Sequence, residues 1–215
     1  MIVKTDELIA LLSAEPERIS KHWMAKHFSV SITSGLVLSA LLMQVIYGVR
    51  SDLAQSALEG YFIIKVLFCA SLALPASIAM MALGRPGVHI KWLVLAMGVP
   101  FLLMLLLALP SFIEASEAQR HLMIFGQTWR SCPFNIFLLS LPLMFSSLGL
   151  SKELAPTRLR QSGACSGFLA GALAALIYCL HCPESDLVFI TLWYSMGVLL
   201  SMGLGAFLGP KILRW

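Results

Sequence analysis

The sequence predicts an all-α, polytopic membrane protein with six transmembrane helices and both termini on the cytoplasmic side. Three observations lead there: scarce charge, six long apolar runs, and a one-sided distribution of Lys and Arg. Charged residues make up 12% of the 215-residue chain and apolar residues 59%. Soluble domains carry roughly 25% charge, so this chain has too little to cover a soluble surface. Its mean hydropathy of +0.86 agrees. The apolar runs follow one another too closely to leave room for a separate soluble domain. The first begins near Phe28, too far in and too long for a signal-peptide core, and no A-x-A-like site follows it.

A helix needs about 20 apolar residues to cross a hydrocarbon core of about 30 Å. Six runs qualify: Phe28–Gly48, Tyr61–Gly84, His89–Pro110, Ser131–Leu150, Ser162–His181 and Leu187–Gly209. Helix is the expected form because each backbone polar group in lipid must be satisfied within its own segment. Period-two polar alternation, the mark of barrel strands, is missing. The resulting division is a segment 1–27, a transmembrane domain 28–209 and a short tail 210–215.

Orientation follows from the cations. Lys4, Arg18, Lys21, Lys26, Arg85, Lys91, Lys152, Arg158, Arg160, Lys211 and Arg214 fall on one side; Arg50, Arg120 and Arg130 fall on the other. The positive-inside rule makes the first side cytoplasmic. The net charge of +4 therefore follows topology and does not point to nucleic acid. Trp23, Trp92 and Trp215 fall near the inner interface, and Tyr47, Tyr61, Trp129 and Tyr178 near the outer one, as aromatic anchors do. Lys65, about one turn inside the second run, is expected to snorkel to the outer interface. No other formal charge lies well inside a run, which weakens an ion-coupled transporter.

Pro75, Pro100 and Pro142 sit inside runs, where membranes tolerate kinks. Gly163, Gly167 and Gly171 recur every four residues in the fifth run, as do Ser201, Gly205 and Gly209 in the sixth. Each set forms a smooth stripe on which another backbone can rest. Packing between neighbouring helices is the expectation, and a homodimer face is the alternative.

Chemistry is concentrated in the cysteines. Cys69 and Cys165 lie within runs and are expected to be small buried hydrophobes. Cys132, Cys179 and Cys182 gather at the outer side with His181. Thiols there can form a structural disulfide, respond to oxidants or soft metals together with imidazole, or stay inert. Cys179-Leu180-His181-Cys182 also has the C-x-x-C form of thiol redox sites, a weak match alone. Gln127 and Arg130, beside Cys132, suit either an anion or quinone, or a plain interfacial role. No Walker loop, dinucleotide fingerprint, zinc-peptidase pair or G-x-S-x-G elbow is present, so an enzyme is not expected.

The N-terminal stretch Lys4-Thr5-Asp6-Glu7-Leu8-Ile9-Ala10-Leu11-Leu12 reads as a short amphipathic helix. Thr5 can cap it, Asp6 and Glu7 complement its dipole, and Leu8, Ile9, Leu11 and Leu12 form an apolar face. That face suits either a membrane surface or a partner protein's groove.

Several segments resemble the negative regulator of sigma F family of membrane anti-sigma factors. They are the N-terminal stretch, Gly126-Gln127-Thr128-Trp129-Arg130-Ser131-Cys132, Ala155-Pro156-Thr157-Arg158, His181-Cys182-Pro183-Glu184, Leu192-Trp193-Tyr194, and the C-terminal Leu208–Trp215. They run in order through the whole chain. The resemblance implies a six-span protein of the bacterial inner membrane that holds an extracytoplasmic-function sigma factor and releases it under metal or redox stress. It implies that Cys132 and Cys182 lie close together, as a disulfide or poised to share a soft metal ion with His181, and that Cys179 is additional. Partner binding then falls to Asp6, Leu8, Ile9 and Leu12, with Arg158 and Arg160 of the loop Ser151–Gln161. Beyond the sigma factor, the implied partners are membrane lipids and a second copy in a homodimer. A membrane thiol–quinone oxidoreductase and a small-solute or metal carrier are the alternatives.

Overall fold

The computed structural model describes residues 21–57, 60–85, 87, 88 and 90–214, with residues 21–24 described by their backbone. Asp6, Leu8, Ile9 and Leu12 lie outside the described residues. Eight helices follow in order: α1 (Lys21–Ile46), α2 (Leu53–Ser56), α3 (Gly60–Leu83), α4 (Lys91–Glu114), α5 (Glu117–Phe125), α6 (Cys132–Glu153), α7 (Leu159–Tyr178) and α8 (Leu187–Ile212). The described residues contain no strand. Six helices, all but α2 and α5, are long and apolar enough to cross a membrane. They match the six apolar runs within a few residues. α1 begins earlier than its run, at Lys21, and α4 continues through Pro110 to Glu114. A proline that would stop a soluble helix is tolerated where neighbouring groups can satisfy the freed backbone.

α7 occupies the centre. Of its most apolar window 78% is buried, against 17% for α1 and 22% for α4, which lie at the periphery. Composition explains the placement. From Ser162 to Ala175, α7 carries mainly Gly, Ala, Ser and Cys, so α3, α6 and α8 can all approach it closely. A Cβ on Gly167 would meet the Ser201 carbonyl oxygen, and one on Gly205 would meet that of Gly163. The two four-residue stripes therefore face each other within one chain. Lipid offers no hydrophobic drive to push helices together, so contact and interhelical hydrogen bonds must hold them. Ser201 donates to Ser140 at 2.8 Å, Ser151 and Ser166 share a hydrogen bond of 2.8 Å, and Ser39 donates to the Leu139 carbonyl at 2.5 Å.

α5 is a short amphipathic helix lying outside the spans, and hydropathy alone gives no sign of it. Its start is fixed by Gln119, whose Oε1 accepts from the Ser116 N–H at 2.9 Å. Arg120 then turns back on α4 and donates to the Phe112 and Ile113 carbonyls at 3.0 and 2.8 Å. These are carbonyls of the last turn, which a helix cannot satisfy internally.

The connections 47–57, 115–131 and 179–186 share one end of the bundle. The Arg50 N–H donates to the Leu180 carbonyl at 3.2 Å, and Trp193 Nε1 donates to the Ile124 carbonyl at 2.7 Å. Arg158 and Arg160 stand exposed at the opposite end, at the start of α7.

A buried thiol cluster as the candidate functional site

Four cysteines converge where α3, α6, α7 and α8 meet the shared connections. Cys132 is the first residue of α6, Cys179 follows the last residue of α7, Cys182 sits in the connection to α8, and Cys69 comes from α3. All four are fully buried, and all are free thiols. Cys69 and Cys179 place their sulfurs 3.9 Å apart. The Cys132 and Cys182 thiols lie beside each other. The cluster thus resolves into two thiol pairs side by side, one on α3 and α7, the other on α6 and the α7–α8 connection.

Lys65 stands among them. Its position corrects the expectation of a snorkelling lysine, because the side chain is 2% exposed. Nζ donates to the carbonyls of Cys182 and Glu184, each at 3.0 Å, and lies 5.1 Å from the centre of the Tyr194 ring. A buried ammonium is costly unless donors are matched, and here two carbonyls and an aromatic face match it. The chain following α7 folds over the lysine and closes its route to the interface.

Tyr194 forms one wall of the cluster, beside Lys65 and Cys182. It ends a π-helical turn, Ile190–Tyr194, inside α8. Such turns insert an extra residue and re-aim the side chains beyond, and they occur often at functional sites. The Tyr194 hydroxyl is buried and lacks a partner of good hydrogen-bond geometry, although it faces the Cys182 thiol.

Cys182 lies between the spans, and its thiol is drawn well below the ordinary range. The hydrogen bond from Cys132 is the main cause. Burial opposes it, and the Lys65 charge, the Tyr194 hydroxyl and the Glu184 backbone reinforce it. The arrangement suits one reactive thiolate with a resolving thiol beside it.

Glu184 fixes the rim. Its Oε1 accepts from the N–H groups of Gln127 and Thr128 at 2.7 and 3.2 Å, and from the Thr128 hydroxyl at 3.3 Å. Gly126, at φ +48°, makes room, since a Cβ there would strike the Glu184 carboxylate. A second polar chain runs beside the thiols. Tyr47 donates to Asn135 Oδ1 at 2.9 Å, and Asn135 Nδ2 donates to the Tyr178 hydroxyl at 3.1 Å. Tyr178 is 1% exposed, so it is a core residue and not the interfacial anchor that its position in the sequence suggests.

The structure brings Cys132 and Cys182 together. His181 points elsewhere: its Nδ1 is 3.0 Å from the Gly48 carbonyl, and its ring packs on Tyr47 and Tyr178. Among the described residues, no three His, Cys, Asp or Glu side chains are grouped to hold a metal ion. Gln127 and Arg130 are exposed at the rim, with the Arg130 guanidinium 5.0 Å from the Trp129 ring centre. Sequence reasoning missed Lys65, Tyr194 and Glu184. The signal for Lys65 was present, as a charge inside a span is a functional candidate by default.

Residues 12–215 match the family described as "Negative regulator of sigma F". The "Probable anti-sigma-F factor NrsF" of Azospira oryzae is 40% identical over 213 residues, covering 99% of this chain and all of that protein. The "Anti-sigma-F factor NrsF" of Caulobacter vibrioides is 32% identical over 216 residues, covering 99% of this chain and all of its own length. No solved structure matches.

Proposed function

The chain belongs to the negative regulator of sigma F family, and from that premise we propose that it is an anti-sigma factor of the bacterial inner membrane that holds an extracytoplasmic-function sigma factor and releases it when the outer thiols react. The observation that carries the reading is the full-length similarity to two anti-sigma-F factors. The Cys132–Cys182 pair supports the second half of it, because a thiol favoured as thiolate with a second free thiol beside it carries two of the marks of a redox sensor. Among the stresses considered, oxidation fits better than capture of a metal ion, given the Lys65 ammonium and the engagement of His181.

The cation asymmetry supports an orientation with both termini in the cytoplasm and the thiol end outside. The sigma factor is then met by the amphipathic stretch with Asp6, Leu8, Ile9 and Leu12. Each Leu or Ile buried there offers only about 1.5–3 kcal/mol before ordering costs. A second contact, to Arg158 and Arg160 at the exposed start of α7, gains from effective concentration once the first is made. α7 joins the two ends: Cys179 and Cys182 follow its C-terminus and the arginines open its N-terminus. Movement of α7 is the route by which a reaction among the thiols loosens the grip.

The test is affinity capture of the tagged protein from its host, paired with a transcriptional reporter. The parent should retain a sigma factor and keep the reporter off. Leu8→Asp with Leu12→Asp should lose the factor and switch the reporter on while the protein stays in the membrane. Capture of no sigma factor by the parent overturns the function. Normal repression by the double variant moves docking away from this stretch.

A further inference from the structure

Two segments carry Cys132 and Cys182, and two charged side chains tie them together. Lys65, reaching from α3, holds the Cys182-Pro183-Glu184 turn by both of its ends, through the Cys182 and Glu184 carbonyls at 3.0 Å each. The side chain of Glu184 then leaves that turn and takes the two N–H groups of Gln127 and Thr128, which lead into Cys132. The Thr128 carbonyl accepts in turn from the Cys132 N–H at 2.9 Å. An unbroken series of contacts therefore runs from Lys65 to the turn bearing Cys182, and through Glu184 to the turn bearing Cys132, so that the two thiols are held side by side.

We propose that Lys65 and Glu184 are the positioning residues of the Cys132–Cys182 pair, holding the two cysteine-bearing turns together so that a disulfide forms between them in preference to any other pair. The proposal rests on the sensor reading above and names the residues that make its thiol pair work. A flexible pair must be brought together for each joining event, whereas a held pair reacts at a high effective concentration. The cost of holding falls on Lys65, and its burial makes sense in this light. An exposed lysine could steer nothing; one sealed beneath the turn fixes it in place. The neighbouring pair, Cys69 and Cys179, is held by rigid helix α3 and by the end of α7, and has no such clamp. It serves as an internal control. Neither Lys65 nor Glu184 takes up electrons or leaves with a product. When oxidised glutathione is the oxidant, the two thiols become one disulfide and the oxidant becomes two molecules of reduced glutathione, which balances the exchange.

The full chain in lipid nanodiscs is equilibrated with oxidised and reduced glutathione, and peptide mapping reads the fraction of Cys132–Cys182 disulfide. The parent should form this bond selectively. Lys65→Met and Glu184→Ala should each lower its equilibrium constant at least tenfold, with mixed disulfides to glutathione rising in its place. Glu184→Gln, which keeps an acceptor oxygen, should recover most of the loss. Oxidation between Cys69 and Cys179, which lies away from Glu184, should be unchanged in the two Glu184 variants. Parent-like constants in both Lys65→Met and Glu184→Ala overturn the proposal. If Lys65→Met does not fold, Glu184→Ala decides, because it lies at the rim outside the helices. A disulfide that forms normally in the parent but leaves sigma-factor capture unchanged refutes the sensor reading and spares this one.

Discussion

Midway along α7 and α8 the two helices rest backbone on backbone, with glycine and serine at most of the contacts. At the end of the same pair, the space is filled by a lysine, a tyrosine and thiols. The seam stores its stability in shape, since contact in lipid depends on close approach. The thiol end stores its own in matched polar groups around a buried charge. A seam of this kind is indifferent to chemistry and intolerant of volume. The thiol end should behave the other way round, changing with charge and oxidation state while keeping its shape.

The largest effect should come from forcing volume into the seam. Gly167→Leu sets a side chain against the Ser201 carbonyl and the Gly205 backbone. Overpacking usually costs about 1–3 kcal/mol, and a backbone obstacle that cannot move aside puts this case at the top of that range or above. Membrane-inserted protein, measured by immunoblot of washed membranes, should fall several-fold. Normal accumulation would mean that the two helices do not need each other's backbone.

A smaller effect, confined to chemistry, should appear in the pH dependence of Cys182. An ordinary thiol, near pKa 8.5, loses reactivity as pH falls toward neutrality. The folded-state value of Cys182 is lowered, chiefly by the hydrogen bond from Cys132. Its thiolate should therefore persist through neutral pH and be lost only as the solution turns acid. Alkylation by a small uncharged reagent, followed by mass spectrometry, should stay near its maximum at neutral pH. A profile that rises only above pH 8 would show that the cluster does not favour the thiolate.

The smallest effect should come from Ser201→Ala, which removes the 2.8 Å hydrogen bond to Ser140 but leaves the seam's volume almost unchanged. Interhelical hydrogen bonds in membranes average about 0.6 kcal/mol. Thermal aggregation in detergent should shift only slightly. A shift as large as that of Gly167→Leu would remove the distinction between shape and polarity along this seam.

The same distinction explains what could be read from the sequence. Hydropathy is local and gave six spans, and the four-residue recurrence of Gly163, Gly167 and Gly171 is local too, so the seam was legible. The fate of Lys65 was not. A lysine one turn inside a span can snorkel or stay, and the turn that seals it is supplied by residues far along the chain. Cys69 beside Cys179 is hidden for the same reason: neither spacing nor type marks two residues on different helices as neighbours. α5 is a different failure. Its Ser116–Gln119 spacing carries the capping signature that opens a helix, but its apolar residues are too few to stand out between two long spans. Tyr178 looked like an anchor because it sits near a span's end, yet Asn135 holds it inside.

The π turn at Ile190–Tyr194 means that α8 is not one helix in a single phase. Before the turn its residues address the connections at the thiol end; after it, from Ser195 onward, they keep step with the glycines of α7. One extra residue joins the two registers. Losing it would leave the hydropathy of α8 almost untouched, but either Tyr194 would swing off the thiols or Ser201 and Gly205 would rotate off the seam. The two halves of this helix can therefore change independently in sequence only while the count of residues between them is kept.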